Sequence, residues 1–387
     1  MFRLDDLALV SMAAYTLLTL ITVACAPRGD LGQRQRASLA MVFAGTLLAY
    51  AAGNSWVFLA GWCATVWPTV WGFNPSSRGP RIALGASMVA LAAGLFLAAF
   101  VGGPVGHTGG FLATILAVLL RKGIFPFHSW VATAFEHDSL PHLNLLLNSH
   151  LGAYLMIRFA VSLFPDLASE TLSLLGGLAI FTSIYTALLA IVAARPRRIL
   201  ALLSISQASF ILAGLENRNV EGITGALVHW WVVAFATTAL LAIYRSLEAR
   251  TTEVGSPTGF LGLGYHAPRL GVFFTIAVLA LVGLPGTLGF VAEDLLFHGS
   301  LESHPLLGIG LPLATALNAI TGLRLMATLF LGKRGLNVAA ISDALPRERW
   351  ALTLPVVLLV AGGLAPGIWV ALRTPSAESI ARALAGR

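Results

Sequence analysis

The sequence predicts an all-α polytopic membrane protein of about twelve transmembrane helices, and three observations support this prediction. Hydrophobic residues make up 57% of the 387 residues, charged residues only 11%, and the mean hydropathy is +0.83. Soluble domains carry about 25% charged residues. The apolar residues fall into runs of about 17–25 residues, the length that crosses a bilayer. Basic residues gather in alternate loops between these runs, as in other membrane proteins.

The apolar runs, taken in chain order, are the predicted spans. They fall near residues 7–26, 37–53, 55–73, 82–102, 110–130, 142–163, 172–193, 199–215, 222–245, 270–298, 306–332 and 351–372. Residues 1–36 hold the first helix and a cytoplasmic loop, 37–163 and 172–332 form two inverted five-helix repeats, and 333–387 hold the last helix and a tail. Each repeat contains one broken helix.

The basic residues orient the chain in the membrane. The net charge of +7 comes from arginines in short loops, so it indicates the positive-inside bias and not nucleic-acid binding. This bias places the N-terminus outside the cytoplasm. The basic residues of the predicted cytoplasmic loops form five clusters: Arg28, Arg34 and Arg36; Arg78 and Arg81; Arg195, Arg197 and Arg198; Arg245, Arg250 and Arg269; and Lys333, Arg334, Arg347 and Arg349. A C-terminal tail with Arg373, Arg382 and Arg387 is predicted outside as well.

The first broken helix carries two cations. Arg121 and Lys122 follow an apolar run that begins at Phe111, and Gly123 and Pro126 then interrupt the helix. A cation at the centre of a membrane helix costs about 2.5–3.5 kcal/mol, and proline leaves backbone carbonyls that need new partners. This combination indicates an ion pathway. The alternative is that both cations only extend to a nearby membrane surface.

The second broken helix carries a carboxylate. Gly283, Pro285 and Gly286 interrupt the run 270–298, and Glu293 follows. Corresponding interruptions in two halves of a membrane protein indicate an inverted-repeat transporter with its site at the interruptions. The two interrupted helices therefore predict one transport site with buried charges of opposite sign.

Two histidines lie between the broken helices. His150 is in the sixth predicted span, where Asn144 and Asn148 lie one turn apart on one face, and His229 is in the ninth span. A proton route needs groups that change charge at modest cost, and histidine titrates near neutrality. We therefore predict a proton relay of four residues: Lys122, His150, His229 and Glu293. The alternative for each histidine is a hydrogen bond that only joins two helices.

Four further polar residues are candidates for accessory roles. Arg121 and His128 flank the interruption that follows Lys122. For Arg158 in the sixth span and Arg324 in the eleventh, we predict a structural role in an ion pair or at the membrane interface. The sequence shows no motif for redox or hydrolytic chemistry, so no catalytic residue is assigned in this chain.

Motifs for cofactor chemistry are absent from the sequence. There is no glycine-rich phosphate loop, no Walker lysine, no cysteine cluster and no haem ligand pair. Cys25 and Cys63 lack metal-ligand spacing, and residues 136–138 (EHD) favour a solvated loop over a metal site. We expect no cofactor and no metal in this chain, so the energy for transport comes from an ion gradient or another subunit.

Three segments together resemble one known family. Residues 121–130 (RKGIFPFHSW) resemble the lysine-bearing broken helix of the antiporter-like membrane subunits of respiratory complex I and of Mrp-type sodium/proton antiporters. Residues 197–210 resemble the family stretch KRxLAYSSxSQxGY, and residues 283–296 are similar to its second broken helix, GxPxxxGFxxK/E. The three occur in family order within residues 37–332.

The resemblance implies roles for four residues. It implies a proton channel along the mid-plane of the membrane, with Lys122 as the central lysine and Glu293 at the outlet. His150 falls where many members carry a second, bridging lysine, and His229 matches the first histidine of the family pattern HxxxHxxxK.

The chain also departs from the family at three positions. Cys63 stands where the family has the glutamate of a GWE motif, which modulates the central lysine. Val233 and Thr237 stand at the other two positions of HxxxHxxxK. We also expect some N-terminal helices and the long lateral C-terminal helix of the largest members to be missing from this chain.

We expect a proton-translocating, antiporter-like membrane subunit of a larger energy-coupled complex, such as a translocase related to NADH:quinone oxidoreductase. Its expected partners are other membrane and peripheral subunits, the lipid bilayer and H⁺ or Na⁺, and its expected location is the bacterial inner membrane. Two alternatives stay open. One is the membrane subunit of a proton-driven inorganic-carbon pump with a soluble zinc partner, and the other is a non-conducting membrane scaffold.

Overall fold

The computed structural model describes residues 2–72, 77–333 and 341–385, and these residues are predominantly helical. They contain seventeen α-helices: α1 (Asp6–Cys25), α2 (Gln33–Tyr50), α3 (Ser55–Val70), α4 (Arg78–Phe100), α5 (Gly103–Lys122), α6 (Ser129–His137), α7 (Leu140–Asn148), α8 (Leu151–Leu155), α9 (Val161–Leu163), α10 (Pro165–Val192), α11 (Pro196–Leu215), α12 (Val220–Glu248), α13 (Pro268–Leu281), α14 (Leu288–Ser303), α15 (Pro305–Phe330), α16 (Pro346–Leu364) and α17 (Pro366–Ala385). The predicted all-α class is confirmed. Arg334 and Arg387, which were assigned to a loop and a tail, lie outside the described residues.

Seven of the described helices are long and apolar enough to cross a membrane by length and composition. These are α1, α4, α5, α10, α11, α12 and α15, and the bent pair of α16 and α17 raises the number to eight. The chain is therefore a multi-pass membrane protein. The other four predicted spans correspond to α2, to the short helix α3, and to two segments that are broken into α7–α9 and α13–α14. This helix count does not establish the predicted twelve spans or the inverted repeats.

Two helix breaks fall where the sequence predicts them. α5 ends at Lys122 because Gly123 adopts a left-handed conformation, with φ of 66°, and α6 begins only at Ser129. Between α13 and α14, Gly283 and Gly286 have positive φ values of 67° and 90°. Glycine takes this conformation without the steric penalty of a Cβ atom, so both interruptions follow from local sequence.

A third break divides the predicted sixth span, which is not a continuous helix. α7 ends at Asn148, and His150 has a left-handed backbone with φ of 45° before α8 begins. Such a conformation is uncommon for residues other than glycine. A π-helix, Met156–Ala160, then joins α8 to α9. The Tyr50 hydroxyl donates a hydrogen bond to the carbonyl of Ser149, so a neighbouring helix stabilises the break.

The helix α12 lies at the centre of the bundle, where it packs against α1, α7, α11, α13, α14 and α17. Within its most apolar stretch 94% of the residues are buried, compared with 33% in α4. On α4 the apolar side chains of Ile82, Val89 and Phe96 are exposed. Exposed apolar side chains on a membrane helix suit contact with hydrocarbon, so α4 lies at the lipid-facing surface.

The arginine-rich loops meet at one end of the bundle. Arg245 at the end of α12 donates two hydrogen bonds to Asp30, which follows α1, and Arg197 at the start of α11 donates two to Glu248. We name this the cytoplasmic end because the positive-inside pattern assigns it there, and the opposite end the outer end.

Arg373, which the sequence assigned to a C-terminal tail outside the cytoplasm, lies within the helix α17. α16 and α17 meet at a 91° bend, and α17 packs against α12 instead of leaving the bundle. Arg373 is fully buried with its guanidinium 4.2 Å from the ring centre of Trp231. Pro366 opens α17, and its ring favours the first turn of a new helix after the bend.

Candidate proton-relay site

Lys122 and His150 form a buried pair where α5 and α7 break. The Lys122 Nζ atom lies 3.2 Å from His150 Nδ1 and donates a hydrogen bond of 3.1 Å to the carbonyl of Ala208 on α11. The two residues are only 7% and 2% exposed. In the described part of the chain, no carboxylate lies within ion-pair distance of Lys122.

The contacts of this pair decide where the His150 ring carries its proton. An ammonium group only donates, so a protonated Lys122 requires a bare Nδ1 on His150 and places the ring proton on Nε2. His150 Nε2 is buried and has no hydrogen-bond partner among the described residues. A proton accepted from Lys122 at Nδ1 can therefore be matched by release of another at Nε2.

His229 also contacts α11, at Gln207, which directly precedes the residue that Lys122 contacts. Its Nε2 atom lies 3.2 Å from the carbonyl oxygen of Gln207. Because a carbonyl only accepts, Nε2 carries the proton and Nδ1 is the bare nitrogen of the neutral ring. In the described residues this Nδ1 has no partner, and the same holds for both side-chain amide atoms of Gln207. The amide can bind a water, and the bare Nδ1 can bind a water or accept a proton.

On the other side of α11, a polar contact leads toward Glu293. Asn318 Nδ2 on α15 donates a hydrogen bond of 2.8 Å to Ser206 Oγ. Thr315, three residues before Asn318, donates a hydrogen bond of 3.1 Å to Glu293 Oε2. Residues three apart share one face of a helix, so this face of α15 links α11 with Glu293.

Three consecutive residues of α11 thus reach three of the predicted relay positions, directly or through α15, and His150 joins them through Lys122. Ala208 contacts Lys122, Gln207 contacts His229, and Ser206 faces the side that leads to Glu293. Successive residues of a helix point about 100° apart, so one short segment can serve three neighbouring helices. The structure brings Lys122 and His150 into contact and joins the other two through α11 and α15.

A small cavity adjoins the lysine pair. It has a volume of about 30 Å³, and its lining includes Arg121, Lys122, Asn148, His150 and Ser204. A cavity of about 10–15 Å³ with two or more polar partners can hold a water molecule. The space next to the pair is therefore large enough and polar enough for water that bridges protonatable groups.

The four accessory candidates lie in separate places. Arg121 lies 4.5 Å over the ring of Trp62 and faces the small cavity. His128 packs between Phe125 and Tyr185. These contacts place His128 in an aromatic cluster and not against the lysine pair.

The two other arginines make structural contacts. Arg158 pairs with Asp5 at the outer end of the bundle. Arg324 donates two hydrogen bonds of 2.9 Å to the carbonyls of Ala190 and Ala193, at the end of α10. Both contacts tie helix ends together.

Thr315, Asn318 and the burial of Arg373 were not predicted from the sequence. Asn318 is fully buried within an apolar span. An isolated amide in such a run was the one sequence feature that could have indicated a functional position there. Among the described residues no group of three or more histidine, cysteine, aspartate or glutamate residues could hold a metal ion.

A family model with the description "NADH:quinone oxidoreductase/Mrp antiporter, TM" matches residues 80–318. That range covers more than half of the chain and contains both broken helices, Lys122, His150, His229 and Glu293.

Curated relatives with sequence similarity are quinone oxidoreductase subunits. NADH-quinone oxidoreductase subunit N of Rhodococcus opacus is 27% identical over 255 residues, which cover 65% of this chain and 47% of the relative. Subunit M of Mycobacterium tuberculosis is 28% identical over 272 residues, 70% of this chain and 49% of the relative. NAD(P)H-quinone oxidoreductase chain 4 1 of Synechococcus elongatus is 31% identical, covering 65% and 49%. The matched stretch spans about half the length of each relative.

Solved structures of membrane complexes share the fold. A chain of respiratory complex I from Thermus thermophilus, solved with bound NADH, superposes with a TM-score of 0.87 at 22% identity, covering 99% of this chain and 86% of that one. A chain of the Mrp complex from Dietzia sp. gives a TM-score of 0.79 at 20% identity, with coverage of 99% and 86%. With the family match over both broken helices, the chain belongs to the NADH:quinone oxidoreductase/Mrp antiporter family of membrane proteins.

Proposed function

We propose that this chain is a proton-translocating, antiporter-like subunit of a larger energy-coupled membrane complex. The observation that carries the proposal is the convergence of Lys122, His229 and the Glu293 side on three consecutive residues of α11. Protonatable side chains at this depth of a membrane are costly and mark ion pathways. Here they lie in one row that connects two broken helices.

The proposed relay runs along the mid-plane of the membrane. Lys122 and His150 exchange a proton directly across 3.2 Å. The neutral His229 ring and the unpaired amide of Gln207 bind the water that carries the proton past α11. Thr315 and Asn318 then lead to Glu293, which accepts the proton. Hydroxyl and amide groups need no charge of their own to align such a water chain.

The side chains of the proposed relay favour transport of H⁺ over transport of Na⁺. Sodium requires several oxygen ligands in place of its hydration shell, as in filters built from carbonyl rings. Lys122 and His150 instead offer nitrogen atoms, and a protonated lysine repels a second cation. We therefore propose that the transported ion is H⁺.

The partners in this proposal are other subunits. The similar chains come from respiratory complex I and an Mrp complex, both of which are multi-subunit assemblies. We propose that membrane and peripheral subunits of this kind accompany the chain in a bacterial plasma membrane and hold any cofactor of the complex. The paired breaks at α5/α6 and α13/α14 support the twelve-span arrangement with two inverted repeats as part of the same proposal.

Proton flux in proteoliposomes tests the proposal. The chain has only two lysines, so Lys122→Ala removes the buried one and Lys333→Ala, at an exposed position, is the matched control. We expect Lys122→Ala to lower the initial rate of flux by about 100-fold, the scale at which acid–base groups act, and Lys333→Ala to leave it unchanged. Equal rates for both variants, with normal assembly, would favour the scaffold alternative.

The partners that co-purify with the tagged chain decide between the two transport alternatives. Mass spectrometry of the gently purified complex identifies them. Iron–sulfur or quinone-binding subunits support an energy-coupled respiratory assembly. A single large soluble zinc protein would contradict that assembly and support the inorganic-carbon pump.

A further inference from the structure

Arg373 is a buried cation without a hydrogen-bond partner in the described part of the chain. It lies on α17, its side chain is fully buried, and its guanidinium lies 4.2 Å from the ring centre of Trp231. None of its three guanidinium nitrogens has a partner among the described residues. An arginine carries five N–H donors, and burial without acceptors costs more than one aromatic ring face restores. The position therefore indicates an acceptor from outside the described part of the chain.

A second unpaired polar group lies one turn further along α17. Ser376 follows Arg373 by three residues, so the two side chains share one face of the helix. Ser376 is 7% exposed, and its hydroxyl also has no partner among the described residues. The other side of α17, with Glu378 and Arg382, is exposed. The buried face of α17 thus presents two unsatisfied polar side chains to the bundle.

Ser376 lines an open cavity at the outer end of the bundle. The cavity has a volume of about 570 Å³, and its charged lining residues are Arg3, Asp5, Asp6, Arg158 and Arg382. Asp5 caps the first turn of α1, where the first apolar helix begins. Charged residues at the end of a membrane span lie at the depth of the lipid headgroups. The cavity therefore connects the buried face of α17 with the membrane surface.

The charges around this cavity leave Arg373 uncompensated. Asp5 forms ion pairs with two of the three lining arginines, and the third, Arg382, lies 3.9 Å from Glu378. Arg373 lies one turn further into the bundle and takes part in no ion pair of the described residues. A buried cation attracts an anion more strongly than an exposed one does, because the surrounding dielectric constant is lower. The site therefore favours an anionic ligand.

A phosphate group matches this site in charge and in the number of its acceptors. A guanidinium can donate two parallel hydrogen bonds to neighbouring phosphate oxygens, and a serine hydroxyl can donate a further one. Hydrogen bonds to an ionised acceptor are stronger than those to a neutral one. A phosphate therefore satisfies Arg373 and Ser376 together and compensates the buried charge.

The rest of the cavity suits a phospholipid. Leu7, Ile157, Val161 and Ile380 form an apolar side next to the charged residues. A phospholipid combines apolar chains with a charged headgroup, and the ammonium group of phosphatidylethanolamine matches the exposed carboxylate of Asp6. Free phosphate uses only the polar part of the cavity.

We propose that the buried face of α17 is a phosphate-binding site at the outer end of the bundle. Arg373 and Ser376 bind the phosphate group, which belongs to a membrane phospholipid or is the free anion. In either case the ligand ties α17 to α1 and α12, two of the helices against which it packs. The inference does not depend on the proposed relay, because neither residue is part of it.

Binding of phosphatidylethanolamine to the full chain, delipidated in detergent, tests the site by native mass spectrometry. Ser376→Ala removes one of the two proposed ligands of the phosphate. Thr374→Ala is the matched control, because it removes a hydroxyl of the same helix that donates to the carbonyl of Val370. We expect Ser376→Ala to weaken binding by at least about tenfold and Thr374→Ala by less than about twofold. Equal affinities in the two variants would overturn the role of Ser376.

Two probes separate the sources of the phosphate group. A ligand that binds only the folded state raises the thermal midpoint of unfolding. A rise with phosphatidylethanolamine but not with inorganic phosphate assigns the site to a lipid. A rise with inorganic phosphate assigns it to the free anion. No rise with either probe would overturn the proposal.

Arg373→Met tests whether the buried cation binds the ligand. Methionine is unbranched and uncharged, and replacement of an unpaired buried charge by an apolar side chain costs little stability. We expect the delipidated variant to unfold at or above the midpoint temperature of the unmodified protein and to gain nothing from either probe. A midpoint that rises with a probe as much as in the unmodified protein would overturn the role of Arg373.

Discussion

Lys122 and His229 bond to consecutive backbone carbonyls of α11, those of Ala208 and Gln207. The two side chains come from α5 and α12, and both helices pack against α11. A helix carbonyl can accept a second hydrogen bond beside the one within the helix, because its oxygen has two lone pairs. The backbone of α11 therefore sets the separation of the lysine and the histidine and fixes which nitrogen of His229 is protonated.

Glu293 is expected to matter more than Cys63. Glu293 Oε1 is buried without a partner among the described residues, and Oε2 accepts from Thr315, so the carboxylate is free to take a proton. Glu293→Gln preserves shape and removes this acid, and we expect flux to fall by about tenfold or more. We expect Cys63→Ala to change flux by less than about twofold, because Cys63 is a half-buried free thiol and the substitution removes no carboxylate. Equal flux for both variants in the liposome assay would contradict the role of Glu293.

Gly152 is expected to hold Lys122 in place by its lack of a side chain. A Cβ atom at this position would lie 2.7 Å from Lys122 Cγ, which is closer than atoms can pack. Gly152→Ala should therefore displace the lysine and lower flux by about tenfold, since misplacement of a reacting group is costly. Gly177→Ala, in another helix with open space around the position, is the matched control. Equal rates in the two variants would show that the position of Lys122 is not set by this contact.

Arg197 is expected to stabilise the cytoplasmic end of the fold. It donates to both oxygens of Glu248 and to the carbonyls of Phe135 and Asp138, so it joins α6, α11 and α12. We expect Arg197→Ala to lower the free energy of unfolding by about 2 kcal/mol, the loss of charged hydrogen bonds.

The loss of stability in Arg197→Ala is measured as a lower midpoint temperature in thermal unfolding of the purified protein. The control is Arg195→Ala, where the arginine is 64% exposed and 3.8 Å from Glu136. An exposed ion pair contributes about 0–1 kcal/mol, so this midpoint should hardly move. Similar shifts for the two variants would contradict the structural role of Arg197.

Local rules were sufficient to predict two of the helix breaks. Gly123 and Gly283 adopt the left-handed conformation that glycine allows, and both were identified from the sequence. The break at His150 has no glycine or proline to indicate it. It depends on a hydrogen bond from Tyr50, about a hundred residues away, to the carbonyl of Ser149. No local pattern encodes that contact.

In the candidate site, too, some features could be predicted from the sequence and others could not. Each of the four predicted relay residues was identified as a titratable group in an apolar run. The link between Ser206 and Asn318 could not be predicted, because it joins residues 112 positions apart through side-chain geometry. The burial of Arg373 could not be predicted either, because loop charges do not reveal the 91° bend between α16 and α17.

The measurement that tests the central claim most directly is the initial rate of proton flux with Asn318→Leu. Asn318 joins α11 to the face of α15 that holds Glu293, and among the described residues its side chain donates to Ser206 and not to any of the four titratable residues. If the proton passes along this row, the leucine variant should lose at least about tenfold in rate, or 1.4 kcal/mol in barrier, while assembly is unchanged. A rate within twofold of the unmodified protein would contradict a relay that crosses from Lys122 to Glu293.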